Sequence, residues 1–520
     1  MTRDTQRKIL FLAGALLLAL VGCVGVVIHY IQQPGGIPGL SWIWSPTPVK
    51  SAATPKPQPY SDLQKDGVTL PLQQGGREST AAAEPEQKPA SAPKAPPLIS
   101  PYETPNPWNV LEKFQGTMTR AEFDQRVKEL FDPFGGLPAY IDINDERLQI
   151  FASASPQHRE LPQYTLRFAP KPEARATWMR PFRSPAEFRA LPKPPDKPLQ
   201  GLRIAIDPGH IGGDWAKIEE RCTRYKGSDY VKEGDLNLIT AFLLRKQLED
   251  LGAIVYLVRE ANEPVTPYRP IDFVDDARRR LVEESKGKSL AKLIKLTPEQ
   301  QTKTLGTKVP KLAEFLFYRS SEIIERGSRI RNKFKADITI TLYINATPSS
   351  GRGGLTSTNR NIFFVHGAYM KKEVDDAKQR LRMIHKIMEG GTDIEVEVAG
   401  NIANVFKRVT GFAPVLYGDS ATTRKVSDNP YVVARNLAAN REYDGPVVCT
   451  EPYFMNEVNT YPRLLAGDFE GERKFNGKMF KSIFREYADC VVNGLLSAYS
   501  SPSTELKVAK KPGSEATAGN

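Results

Sequence analysis

Histidine and cysteine are scarce in this chain, five and four residues respectively out of 520. Cys23 lies in an apolar N-terminal run, so Cys222, Cys449 and Cys490 remain, an odd number with no metal-type spacing. That excludes a disulfide framework and a cysteine-based zinc site. With so few histidines, one placed at a strand end is informative. There is also no nucleic-acid recognition motif, so the net charge of +12 points to anionic surfaces such as wall polymers and lipid headgroups rather than to nucleic acid.

What is present divides the chain into zones. Residues 1–33 carry a basic start, Arg3 to Lys8, then a nearly unbroken apolar run from Ile9 to about Ile31. That is long enough to cross a bilayer as a helix. Leu20-Val21-Gly22-Cys23 resembles a lipoprotein cleavage box, but the apolar run continues past it and favours a retained anchor. The basic side belongs in the cytoplasm and the rest of the chain outside, in the cell envelope facing the periplasm or exterior. Residues 34–106, rich in Pro and Ala, read as an extended linker. Residues 107–195 read as a small α+β module. In it Thr119-Arg-Ala-Glu122 forms a capping box, and Tyr140 to Ile143 and Leu148 to Phe151 flank an Asn-Asp-Glu turn.

From Leu199 the pattern alternates. Leu202, Ile204 and Ile206 predict a strand, Leu236 to Leu251 an amphipathic helix, and Ala253 to Val258 a second strand. Helix is predicted again over Ile323 to Phe334. Strands follow over Asp337 to Leu342, Asn361 to Val365 and Val447 to Thr450, before a long final helix. The expected fold is α/β, a mostly parallel sheet with helices on both faces, over 199–500. Sites in such sheets lie beyond the carboxyl ends of strands, where His210, Tyr343, His366 and Glu451 all fall in this reading. A charged helical insertion, 260–322, leads back toward that edge and reads either as a surface excursion or as a lid or substrate wall. The tail 501–520 is small and polar.

Four segments carry a resemblance: Asp207-Pro-Gly-His210, Lys232-Glu233-Gly-Asp-Leu-Asn-Leu238, Thr341-Leu-Tyr-Ile-Asn-Ala346 and Thr450-Glu451-Pro-Tyr-Phe-Met-Asn456. In this order and spacing the chain resembles the zinc-dependent N-acetylmuramoyl-L-alanine amidases of the type 3 fold. Arg259, Arg329 and Asn332 also fit. The resemblance implies that His210 and Glu233 are zinc ligands and Glu451 the catalytic carboxylate. It also implies that the substrate is peptidoglycan, cut at the amide between the lactyl group of muramic acid and L-alanine. The third ligand position holds Tyr343 where the family has histidine. A phenol, with a pKa of about 10, must lose its proton before it binds zinc well.

Three readings of Tyr343 follow: zinc takes the phenolate as a ligand, His366 supplies the missing nitrogen, or the site has lost metal and activity. The chain is then either an anchored amidase in cell wall remodelling or an inert amidase-like module that binds or regulates wall turnover. Taken alone, His210 would cap a turn, Glu233 would be an ordinary first-turn Glu and His366 a structural histidine. Glu451 closes an apolar strand end, where an unpaired carboxylate is costly. His385, in a basic helix from Lys371 to Met388, reads as a surface residue, and Asp214 as structural.

Overall fold

Strand β4, Arg203–Pro208, has Ile204, Ala205 and Ile206 buried on both faces, and β8, Ile338–Leu342, is buried at all five positions. Strands without an exposed face belong in the middle of a sheet covered on both sides. The computed structural model describes residues 106–500 apart from 160, 226–229, 348–353 and 418–421. The expected anchor at 1–33, nearly all of the linker 34–106 and the tail 501–520 lie outside the described residues. Among those described, no helix is long and apolar enough to cross a membrane.

The small module supplies β1 (Ile141–Ile143), β2 (Arg147–Ile150) and β3 (Tyr164–Arg167), an antiparallel sheet in which Asp142 faces Gln149. Its capping box forms as expected, with Thr119 and Glu122 each satisfying the other's backbone N–H. Short strands β5 (Cys222–Thr223) and β6 (Val231–Lys232) pair just before the helix Glu233–Asp250. The main sheet adds β7 (Ile254–Leu257), β9 (Arg360–His366), β10 (Ala413–Pro414), β11 (Arg424–Lys425), β12 (Val432–Arg435) and β13 (Val447–Glu451). Its order is β11-β12-β9-β13-β8-β4-β7, with β10 alongside β9. A separate hairpin, β14 (Glu472–Phe475) with β15 (Lys478–Lys481), precedes the last helix, Ile483–Tyr499.

Most pairings are parallel, as expected, but β9 runs antiparallel to β13, with Glu451 opposite Ile362 and Cys449 opposite Phe364. The cause is the connection from β8. A parallel return needs a crossover long enough to carry the chain back to the other edge, usually a helix. The described residues between Leu342 and Arg360 contain no such helix. The chain therefore turns and enters β9 from the edge where β8 ended.

Helices Glu233–Asp250, Thr392–Thr410 and Ile483–Tyr499 cover one face, burying Leu244, Leu248, Ile402, Phe406, Val491 and Leu495. The last two approach so closely that a Cβ on Gly494 would stand 2.5 Å from Ile402 Cα. The other face is covered by Glu322–Arg329 and Ala438–Glu442 over Ala205, Val447 and Tyr443.

The small module shares the main core: Trp108, Phe114, Phe131 and Leu166 belong to the same buried cluster as Ile204 and Ile340. One buried carboxylate pins the joint between the two. Asp337 accepts the backbone N–H groups of Arg183 (2.9 Å) and Arg203 (3.0 Å) and contacts from both guanidiniums. Burial favours its neutral form, but these hydrogen bonds outweigh burial and hold its pKa below the usual carboxylate range. The stability it contributes is therefore present above that range and lost as pH falls. Asp337→Ala leaves two N–H groups unpaired and two partly exposed guanidiniums without a carboxylate, each keeping one carbonyl acceptor, Gly201 O for Arg183 and Pro181 O for Arg203. We expect a loss of about 2–4 kcal/mol in urea denaturation, and a loss below about 0.5 kcal/mol would show that the joint does not depend on this residue.

Candidate active site

The loop after β4 is held by two arginines. Arg326 donates to Asp207 Oδ1 (2.8 Å), Pro208 O (2.9 Å) and His210 O (2.9 Å). Arg259 donates to Pro208 O (3.0 Å) and to Gly234 O (2.5 Å). With its carbonyls fastened, His210 sits at φ 60°, in the left-handed region that a histidine seldom adopts. The same arginine contact positions the start of the helix Glu233–Asp250. There Glu233, in the first turn, benefits from the unpaired N–H groups and positive end of the helix dipole.

These two elements bring His210 and Glu233 together, with Nε2 3.3 Å from Oε2. Glu233 Oε1 accepts the Ile344 N–H at 3.1 Å, which leaves Oε2 for the histidine. On the other side of the ring, Glu219 Oε1 lies 3.5 Å from Nδ1, and the Ile211 N–H, at 2.8 Å, holds Glu219 in place. Burial disfavours the imidazolium, but the two carboxylates outweigh it and raise the His210 pKa to about 8. Glu219 has no counterpart in the sequence reading. It lies nine positions after His210 in a polar turn, and no periodicity marks it.

Tyr343 and Glu451 complete the group from neighbouring strand ends. The Tyr343 N–H donates to Thr450 O at 3.0 Å. The Tyr343 ring meets His210 edge-on, with centroids 5.3 Å apart and planes at 87°. It lies on the backbone of Gly209, where a Cβ would stand 2.4 Å from a ring carbon, so only glycine fits there. Glu451 is the last residue of β13. Burial, then the charge of Glu233, push its pKa up to about 7 against the pull of Arg435, His210 and Arg221.

The remaining expectations resolve differently. His366 does not join the site: β9 runs the other way, so its end lies level with the start of β13, four residues from Glu451 along the sheet. At a rise of about 3.3 Å per residue, that is roughly 13 Å. His366 is buried, with Nε2 2.9 Å from the Tyr369 hydroxyl. His385 is buried rather than at the surface, packed edge-on against Phe114 of the small module at 5.3 Å. The basic segment there is two helices, Lys371–Val374 and Ala377–Glu389, and the second is covered by that module. Arg329 donates to Val265 O (3.1 Å), so the arginine one turn earlier, Arg326, serves the site. Asp214 is exposed.

The donors can be tested against zinc. His210 Nε2 and Glu233 Oε2 converge, and Glu219 behind Nδ1 is the kind of outer carboxylate that orients a metal-bound imidazole. The third position fails. Burial, followed by the charge of Asp207, pushes the Tyr343 phenol well above its ordinary pKa and keeps it neutral. Among the described residues, no group of three His, Cys, Asp or Glu side chains is placed to hold a metal ion. A catalytic zinc takes three protein ligands, so this set does not fit one.

Comparison with known proteins gives the family. The profile of N-acetylmuramoyl-L-alanine amidases matches residues 204–472. A curated relative, the germination-specific N-acetylmuramoyl-L-alanine amidase of Bacillus subtilis, is 24% identical over 181 residues, covering 35% of this chain and 52% of its own length. The chain thus spans about half the length of that relative. Among solved structures, the CwlD amidase of Clostridioides difficile in complex with the GerS lipoprotein is 16% identical with a TM-score of 0.30, over 57% of this chain and 96% of that one. Ami1 of Mycobacterium abscessus is 14% identical with a TM-score of 0.30, over 58% and 100%.

The failed third position makes a prediction. Tyr343→His supplies a neutral nitrogen donor in place of the phenol and should raise zinc affinity at least about tenfold. Equilibrium dialysis with zinc at neutral pH measures it. Equal zinc retention by the native protein and the variant would show that Tyr343 is not what limits binding.

Proposed function

The chain belongs to the N-acetylmuramoyl-L-alanine amidase family, and we propose that it acts on peptidoglycan, hydrolysing the amide between the lactyl group of N-acetylmuramic acid and L-alanine of the stem peptide. The observation that carries this reading is Glu451. A carboxyl with a pKa of about 7, at the end of β13 and within the field of Glu233 and His210, can take a proton from water and return it to the leaving amine near neutral pH. His210, held by two carboxylates, and Glu233, held by the Ile344 N–H, fix the floor against which the amide lies. Zinc, which the resemblance implies, finds two of the three donors it needs in His210 and Glu233, and no step is assigned to it. An envelope location, anchored through 1–33 and facing the periplasm or exterior, suits this substrate and rests on the apolar run in the sequence.

A second reading has its own support. The neutral phenol at position 343 favours a module that binds wall without cutting it. The two readings separate in one experiment with the native protein and Glu451→Gln on isolated peptidoglycan, scoring both stem peptides released and protein sedimenting with the wall. Turnover should fall by about 10²–10⁴ in the variant. The native rate should rise as pH climbs through about 7, because the base form of Glu451 accumulates there. Sedimentation with no release by the native protein selects the binding reading.

A further inference from the structure

Much of the net charge sits in one part of the insertion. Residues 285–313 hold seven lysines, one glutamate and no other charged side chain, a local charge of +6 in a chain of +12. The segment is folded, as the helices Gly287–Leu293, Pro298–Leu305 and Lys308–Phe315. All seven lysines are exposed. Just before them Arg278 and Arg279 pair with Asp275 and Asp276 on their own helix. Among the described residues, no carboxylate lies within ion-pair distance of Lys286, Lys288, Lys292, Lys295, Lys303 or Lys308.

The first of these helices presents a fixed face. Leu293 is buried, and the helical turn continues past it, with the Ile294 N–H donating to Leu290 O (3.0 Å) and the Lys295 N–H to Lys292 O (3.2 Å). Lys288, Lys292 and Lys295 therefore stand at i, i+4 and i+7, a stripe on the side away from Leu293. Gln301, itself buried, locks the end of this helix. Its amide donates to Leu293 O (3.0 Å) and Leu296 O (3.3 Å), while its carbonyl accepts Arg278 (2.8 Å). Ile294, on the flank of the stripe, is 63% exposed. Like charges at this spacing oppose the helix that carries them, and an anionic surface against the stripe removes the opposition.

A lipid surface fits this face better than a wall polymer does. A hydrated polymer has no apolar layer to cover Ile294, whereas a bilayer offers headgroup charge to the ammoniums and an acyl boundary to their stems and to Ile294. The apolar run from Ile9 to about Ile31 and the linker 34–106 lead to the first described residues. On the envelope reading given above, the bilayer is then the anionic surface within reach of the tether. Resting on that reading, we propose that the insertion docks the domain on anionic lipid headgroups through Lys288, Lys292 and Lys295, with Ile294 set into the interface. Segments Lys308–Phe315, Leu316–Ser321, Glu322–Arg329 and Ile330–Phe334 follow one another without a break, and Arg326 among them holds the His210 loop. Docking thus sets how the site faces the membrane.

The test takes the full chain with vesicles of zwitterionic phosphatidylcholine, and with vesicles in which part of that lipid is replaced by anionic phosphatidylglycerol. Two quantities are read: flotation of the protein with the vesicles, and the acetylation rate of each lysine by acetic anhydride, followed by mass spectrometry. Acetylation of Lys288, Lys292 and Lys295 should be slower by at least about fivefold in the anionic vesicles, and the difference should vanish in high salt. Lys246, 75% exposed on the helix Glu233–Asp250, is the internal reference and should keep its rate. Equal rates at the three lysines in both vesicles, or a slowing shared by Lys246, overturns the docking. Slowing by isolated peptidoglycan but not by anionic lipid assigns the face to the wall and overturns it as well. Flotation reads the anchor separately. A chain that does not float with zwitterionic vesicles overturns the anchor, while the lysine rates with and without anionic vesicles still decide the docking.

Discussion

The buried pair Asp207 and Arg326 is the contact on which the site depends. Asp207 is the penultimate residue of β4, and its second oxygen accepts the Tyr443 hydroxyl at 2.5 Å. Arg326 has further donors for Glu322 Oε1 (2.8 Å) and for the carbonyls of Pro208 and His210. A buried charge pair adds little net stability when both partners are compared with apolar groups, but removing one partner strands the other at a cost of about 3–5 kcal/mol. Its effect here is geometric. Five donors in a rigid fork join a strand end, a histidine backbone and a helix from a different part of the chain. Arg259 extends the same brace to Gly234, so the positions of His210 and Glu233 are set by one network. That network offsets the cost of a left-handed histidine, of order 1–3 kcal/mol.

Charge balance in the site follows from this brace. Because the His210 loop cannot relax, its imidazole stays between Glu219 and Glu233 and its pKa rises to about 8. Glu233 is then held below its usual range, burial notwithstanding, by that cation and by Arg221. Glu451 faces the opposite situation: burial and the ionised Glu233 favour its neutral form until about neutral pH. Two carboxylates within one site thus have pKa values driven apart, the arrangement that separates a fixed anion from a proton carrier.

The elements that were legible share a local cause. Ile204 and Ile206 alternate in β4, and the capping box at Thr119 closes within three residues. His210, Glu233, Tyr343 and Glu451 come together at one edge because β4, β8 and β13 run parallel, which alternating strands and helices already indicate. The misplaced residues have non-local causes. The placement of His366 depends on the direction of β9, which follows a connection whose described residues contain no helix. The burial of His385 depends on the small module lying over its helix, which the basic character of that helix conceals. Glu219 reaches His210 through a turn that leaves no pattern.

The amino-acid sequence by itself determined the core strands, the order of the motifs and the replacement of histidine by tyrosine at 343, because each is a matter of neighbouring side chains and spacing. Only the tertiary structure decided what that replacement means. The ring lies on Gly209, burial and Asp207 keep the phenol neutral, and the antiparallel strand carries the one substitute histidine to the far edge. Burial, strand direction and the charge of distant neighbours are properties of the folded chain, and they control proton affinity and metal binding more strongly than residue type does.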